Sequence, residues 1–403
     1  MQALTKMTSM RPSLQRSERV LSDFQINLSA DRIPSPSETD ESAKTAIKIA
    51  ISSLTIIIVK IRRDPSFISK HIAVFRQAWQ GVWAWLQFLS AECITEHHGQ
   101  TIMLHSLRII PFVIAAFSRD NEAGLRSLIA HTPGVFQILI PHWLRENIDI
   151  NQDLAKITLD FNFSAALGGL LQKEDHRNAE ILTTIVGSAS GRAQEIARVA
   201  IGHLQSVVFR SPPDFAQITQ HLVLVSAFST SLCPPLRSAM LQNRSLPVII
   251  DTVKAMGAQA VPAGFVTLSY LALSDALDSA NGPVWIIQSL DVGLLSAILK
   301  AGFQLTQPGV PSSVCAMTPK WLFKLLYQYM VYRSVLRSLS KAITKTEQEG
   351  IELPTSGLFW GEWEMFRAAA KNRLVEKDDF DAMNMLGAEP GFYGCQAHVS
   401  PVI

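Results

Sequence analysis

Residues Asn178 to Arg210 constrain the fold more than any other stretch of this chain. They read as a helix, a short turn and a longer helix. Ile181, Leu182, Ile185 and Val186 give the first helix one apolar side, and Gly187-Ser188-Ala189-Ser190-Gly191 breaks the pattern. Ala193, Ala197, Ala200, Leu204 and Val208 then recur every three or four residues, with Ile196 and Val207 beside them. That spacing draws one apolar stripe on an α-helix. Arg192, Glu195, Arg198 and Gln205 fall mostly on the other side. Such a pair cannot hide its stripe alone, so it calls for neighbours of the same kind.

Those neighbours are present along the chain. Helical patterns run over Ser42–Arg62, Phe67–Glu96, Thr101–Ser118 (interrupted at Pro111), Glu122–His131, Val135–Glu146 and Leu154–Gln172. After Ser211-Pro212-Pro213, Asp214 stands in the N-cap position of a helix over Phe215–Phe228. Further patterns cover Leu236–Gln242, Pro247–Met256, Phe265–Leu277, Val284–Ala301, Pro319–Lys345 and Gly357–Met385, and a short one lies near Arg16–Phe24. No run alternates apolar and polar residues between turn signals, so no strand is expected. The helical stretches, roughly sixteen of them, and their short Pro/Gly-rich joints predict an all-α fold, an irregular stack of helical hairpins of the HEAT or armadillo sort without a fixed repeat length. The expected organisation is a poorly ordered lead-in over 1–40, a helical-repeat-like stack over 41–347, a linker and long C-terminal helix over 348–386, and a disordered tail over 387–403.

Composition narrows the function classes. Charged residues are 17% of the 403, below the roughly 25% usual in soluble proteins, so much of the chain is core or contact surface. A net charge of +2 supplies no long-range field, and no nucleic-acid partner is expected. Cys93, Cys233, Cys315 and Cys395 lie far apart, which argues against a disulfide framework and for a reducing, intracellular compartment, cytoplasmic or nuclear. Asn27, Asn162 and Asn243 match N-x-S/T as chance occurrences. The most apolar run, Ile49–Val59, is bounded by Lys48 and Lys60 and falls short of the roughly 20 residues of a bilayer span, so no transmembrane segment is expected. The mildly basic N-terminus carries Glu18 and little amphipathicity, unlike a presequence.

No motif carries chemistry. Gly187-Ser188-Ala189-Ser190-Gly191 has Ala189 where a nucleophile elbow has serine, and it follows a helix rather than a strand. Cys93, His97, His98 and His105 form the densest set of metal-ligand types, but Gly99 separates His105 from the rest. The acidic group Glu376, Asp378, Asp379 and Asp381 reads as a solvated helix face. Trp79, Trp83 and Trp85 read as a buried helix contact. Lys320, Lys324, Arg333, Arg337 and Lys341, interleaved with Trp321, Tyr327, Tyr329 and Tyr332, offer a face for an acidic partner or cover a packed helix. No catalytic, cofactor-binding or metal-binding residue is assigned, and no cofactor is expected. The expected function is a non-enzymatic scaffold for unidentified protein partners. The alternatives are an enzyme with a site assembled from distant residues and a membrane-surface protein using Ser42–Arg62.

Several segments, in order along the chain, resemble the helical region of mushroom-forming-fungus proteins that carry a C-terminal MYND-type zinc finger. They are Asp31-Arg32-Ile33-Pro34, Val82 to Leu89, Thr132-Pro133-Gly134-Val135, Tyr332 to Arg337, and Trp360 to Arg373 with Trp363 and Phe366 inside it. The resemblance implies a long helical region of unassigned activity, followed by a finger that binds two zinc ions and is associated with protein–protein contacts. Beyond Met385 the only Cys or His are Cys395 and His398, so the finger is expected to be absent from these residues and no metal ligand is carried over.

Overall fold

The computed structural model describes residues 17–36, 40–94, 98–118, 123–146, 162–171, 178–210, 213–257, 261, 263–305, 312–351 and 358–386. Among them every regular element is a helix and none is a strand, the expected all-α stack. The chain forms two compact units, Met1–Val248 and Ile249–Ile403. The expected helix over 154–172 is described only as Phe163–Leu170, and residues 154–161 and 172, like Cys395 and His97, lie outside the described residues.

The first unit begins with α1 (17–27) and a 3-10 turn, Ala30–Arg32. It continues with α2 (Glu41–Arg63), α3 (Phe67–Lys70), α4 (Ile72–Phe88) with a π turn over Leu89–Cys93, and α5 (Gln100–Ser118). Then follow α6 (Ala123–Ala130), α7 (Val135–Leu144), α8 (Phe163–Leu170), α9 (Asn178–Ser188), α10 (Ala193–Val208), α11 (Phe215–Ser229) and α12 (Pro234–Gln242). Local chemistry sets these bounds. Asp40 caps α2 by accepting from the Ala43 N–H at 2.8 Å, Asn162 caps α8 through Ala165 N–H at 2.7 Å, and Asp214 caps α11 through Gln217 N–H at 3.1 Å. Lys60, Arg62 and Arg63 close the last turn of α2, where cations complement the helix dipole. The single helix expected over Phe67–Glu96 breaks at His71, whose backbone leaves the helical region.

Each stripe finds a partner. α5 packs on α2 and α8, α8 on α11, and α11 on α10 and α12. Aromatic rings fill the start of the unit. Phe75 lies 5.8 Å from Phe24, 6.0 Å from Phe67 and 5.1 Å from Phe117, all centroid to centroid. Trp79 stacks on Trp83 and donates its indole N–H to Thr132 Oγ1 at 2.8 Å. Trp79, Trp83 and Trp85 are all buried, the helix contact that their spacing announced.

Close approach explains one glycine in this unit. A Cβ on Gly81 of α4 would stand 2.2 Å from the Leu28 carbonyl oxygen, a backbone atom at the end of α1. Gly202 of α10 has nothing within 4 Å of its Cβ position. Gly81→Ala therefore destabilises the protein by about 1–3 kcal/mol despite the gain in helix propensity, whereas Gly202→Ala stabilises it by up to about 1 kcal/mol. Chemical denaturation of the two variants checks the pair, and equal shifts of the same sign would contradict the packing described.

The second unit comprises most of α13 (Ser245–Gly257), then α14 (Ala263–Ser279), α15 (Pro283–Asp291), α16 (Leu294–Leu305), α17 (Ser312–Tyr329), α18 (Arg333–Gln348) and α19 (Leu358–Leu386). α14 packs on α16 and α17, α15 on α18, and α19 covers α17 and α18. Phe323 stacks on Phe366 at 4.9 Å and lies 5.8 Å from Trp363, and the buried Tyr270 hydroxyl donates to the Ile298 carbonyl. Two expectations are corrected here. Val284–Ala301 is two helices, because Gly293 takes φ +95° between them. Pro319–Lys345 is also two. Pro319 lies inside α17, the chain turns at Met330–Tyr332, and Tyr332 is extended at φ −93°. The reason is a phase slip: Leu322, Leu325, Leu326 and Met330 continue on one helix to 333 and 337, but those positions are arginines, and the next buried pair is Val335 and Leu336.

The apolar run Ile49–Val59 sits inside the 23-residue α2, whose length includes its charged ends. By length and composition alone α2 and α5 are each long and apolar enough to cross a bilayer. The uncharged run alone had understated that length.

Candidate functional site

The outward side of the α17–α18 segment concentrates cations and aromatic rings. On α18, Val335, Leu336, Leu339, Ala342, Ile343 and Thr346 are buried, which turns the opposite face to water. Arg333, Arg337, Lys341 and Lys345 follow one another there at four-residue intervals, all exposed, over about 18 Å of helix. Ser334, Ser340 and Thr344 fill the spaces, and the acids of this helix stand at its far end, where Glu347 meets Arg367 at 3.6 Å and Lys371 at 3.3 Å. Lys345 also faces Glu349, which Lys300 and Ser296 hold below the usual carboxylate range. The end of α17 and the turn after it expose Trp321, Lys324, Tyr327, Val331 and Tyr332, with Val331 75% exposed. Tyr329 is half-buried, its hydroxyl donating to the Ala280 carbonyl at 3.3 Å. Lys320 is engaged with Glu362 at 3.6 Å. The five cations read as one helical face thus divide between two helices, and Lys345 joins them.

A second assembly lies inside the first unit, where the end of α7 meets α8, α10 and α11. Glu146 turns its carboxyl inward and accepts from the Phe163 N–H at 3.1 Å and from Ser164 Oγ at 3.3 Å. Trp143 Nε1 donates to the same Ser164 Oγ at 3.0 Å. His203 Nε2 donates to the Glu146 carbonyl at 3.1 Å, which leaves Nδ1 as an unpartnered acceptor. The His221 ring, 5.4 Å from that of His203, has neither nitrogen bonded among the described residues. Burial pushes Glu146 up to about 7, His203 down to about 4 and His221 down to about 3, and for His221 the neighbouring His203 and Arg210 add to the effect. A carboxyl near 7 beside neutral imidazoles has the titration of an acid–base pair. Its hydrogen bonds, however, run into the first turn of α8, where Glu146 satisfies an N–H that the helix leaves open. The group joins α7 to α8.

A third feature is a cavity of about 240 Å³ between α2 and α5. Ile58, Val59, Ile109 and Phe112 form its apolar walls, and Arg62, Arg108 and His105 stand around it. A further space of about 260 Å³, lined by Leu299, Trp360, Trp363 and Arg367, lies where α18 meets α19, and its Arg367 is engaged with Glu347 and Glu364.

The remaining sequence candidates fall elsewhere. Gly187–Gly191 is a helix terminus: Gly191 N–H reaches back to the Val186 carbonyl at 2.9 Å, with Ser190 at φ +55° and Gly191 at φ +76°. Burial, with Glu92 adding to it, pushes the Cys93 thiol up to about 12, far from the thiolate that a metal takes. His98 is buried against Phe88 and His105 is exposed at the cavity; no three His, Cys, Asp or Glu side chains converge among the described residues. Glu376, Asp378 and Asp379 are exposed on α19, with Arg373–Glu376 at 2.8 Å and Lys377–Asp378 at 3.0 Å, the solvated face expected; the Asp381 side chain lies outside the described residues. Asn162 and Asn243 spend their side chains on a helix cap and on Gln194.

The fold defines an all-α stacked protein. Comparison with known proteins finds no match to a family model, to a characterised protein or to a solved structure.

Proposed function

We propose that this chain is a helical interaction scaffold, its hairpins stacked in the HEAT or armadillo manner, that docks an acidic protein partner on the outward face of α17–α18. The observation that carries the reading is the row Arg333, Arg337, Lys341 and Lys345, exposed on α18 and preceded along the chain by the exposed Trp321, Tyr327 and Tyr332. Arginine and large aromatics are the side chains that dominate interface energetics, and a row of like charge selects a partner of opposite sign. Its strength does not depend on the whole molecule, whose net charge is +2. The likeness to the helical region that precedes MYND-type fingers fits a contact role. The reading assigns no catalytic residue, needs no cofactor or metal, and places the protein inside the cell.

The experiment is affinity capture with the full chain against the double variant Arg337→Glu/Lys341→Glu. The wild-type chain retains a stoichiometric partner with acidic contact residues, retention weakens as salt is raised, and the double variant loses it. Recovery of no stoichiometric partner, or equal recovery by the variant, would sink the proposal.

A further inference from the structure

We infer that the cavity between α2 and α5 is a binding site for a single-chain anionic amphiphile, a carboxylate carrying a short alkyl tail. Three observations carry it, none of them shared with the α17–α18 face.

The first is polarity. Ile58, Val59, Ile109 and Phe112 wall the cavity, and every charged or ionisable group lining it is a potential cation: Arg62, Arg108 and His105. No acid lines it, and the Thr55 hydroxyl proton is spent on the Ile51 carbonyl at 2.8 Å.

The second is an unmet charge. Arg108 is half-buried on α5 and has no ion-pair or hydrogen-bond partner among the described residues. A guanidinium's planar fork matches a carboxylate in two parallel hydrogen bonds. An anion at the mouth of the cavity supplies the missing partner.

The third is size. An engineered apolar cavity of about 150 Å³ takes one benzene, so at that density 240 Å³ accommodates about ten carbon atoms. It is too small for a docked helix, whose diameter with side chains is about 10–12 Å. The ligand class that meets all three conditions is an alkyl chain ending in an anion.

The test uses the full chain and monomeric decanoate, below its micelle concentration, with decanol and decylammonium as controls. Calorimetry is expected to show saturable one-site binding of decanoate, at least tenfold tighter than decanol, and none of decylammonium. Arg108→Gln, whose fold circular dichroism verifies, weakens decanoate by about tenfold to hundredfold and leaves decanol unchanged. Position is read independently. A thiol introduced by Val59→Cys at the rim is alkylated more slowly when decanoate is present. Equal affinity for the three probes, an unchanged Arg108→Gln, or an unprotected thiol at 59 overturns the inference. Binding to phosphatidylserine vesicles without binding of monomeric decanoate also overturns it, and would assign the apolar side of α2 to a bilayer surface instead.

Discussion

Replacing Phe75 by alanine is expected to destabilise the protein by about 3–5 kcal/mol, the range for deleting a large buried aromatic ring. The position is demanding because the ring meets neighbours from three other helices. Phe24 comes from α1, Phe67 from α3 and Phe117 from α5, with centroids 5.1–6.0 Å from that of Phe75 on α4. Phe24, Phe75 and Phe117 are all fully buried, so the vacancy has no solvent side from which to collapse. Edge-on contacts between rings add about 0.5–1.5 kcal/mol per pair beyond the area they bury. Phe75→Leu keeps most of the volume and is expected to cost less than about 2 kcal/mol. Denaturant unfolding of both variants measures the difference, with near-ultraviolet circular dichroism reporting the packing of the tryptophans beside the ring. A loss below about 1 kcal/mol for the alanine variant would mean that these rings do not close the first unit.

Much of this fold was legible because helices advertise themselves locally. The stripe from Ala193 to Val208, the cap Asp214, and the proline-marked joints are all written within a few residues of the features they determine. What escaped depends on phase. Residues 319–345 look like one apolar helix until Arg333 and Arg337 are placed on the continuation of the Leu322–Met330 stripe, and only then does the turn at Met330–Tyr332 become necessary. The cation row was legible at Arg333, Arg337 and Lys341, since four-residue spacing is visible in the letters. The cavity was not, because its walls come from α2 and α5, more than forty residues apart, and only packing brings them together. One clue did exist: Arg108 stands in Leu107-Arg108-Ile109-Ile110, a charge inside an apolar run. Glu146 gave no such clue. It belongs to a polar stretch, Arg145-Glu146-Asn147, that reads as solvated, and its burial follows from the N-terminus of α8 arriving beside it.

That buried group gives the second large effect, a dependence of stability on pH with a defined sign. His203 and His221 have native pKa values near 4 and 3, depressed by burial below the ordinary 6.5. Their contribution to stability is complete above pH 6.5 and is lost as the pH falls toward those values, because only the unfolded chain takes up their protons. Glu146 works in the opposite sense. Burial raises it from 4.5 to about 7, so its contribution is complete below pH 4.5 and is lost as the pH rises through 7. Between pH 5 and 6 the unfolded chain holds two histidine protons that the native protein lacks, and the native protein holds one carboxyl proton that the unfolded chain lacks. The balance is one proton in favour of the unfolded chain, so stability rises with pH by about 1.4 kcal/mol per unit in this window. His142, which burial also depresses, adds to the same trend in every variant. His221→Phe removes one of the two histidine protons and is expected to flatten this contribution almost completely. Because both nitrogens of His221 are unbonded among the described residues, the same variant is expected to be at least as stable as the wild type at pH 7. Glu146→Gln removes the opposing proton and roughly doubles the slope, to about 2.7 kcal/mol per unit. Unfolding free energies at pH 5.0, 5.5, 6.0 and 7.0 for the three proteins decide the matter. Three parallel curves would show that neither histidine nor glutamate titrates differently in the folded chain, and the buried assembly described between α7, α8, α10 and α11 would have to be abandoned.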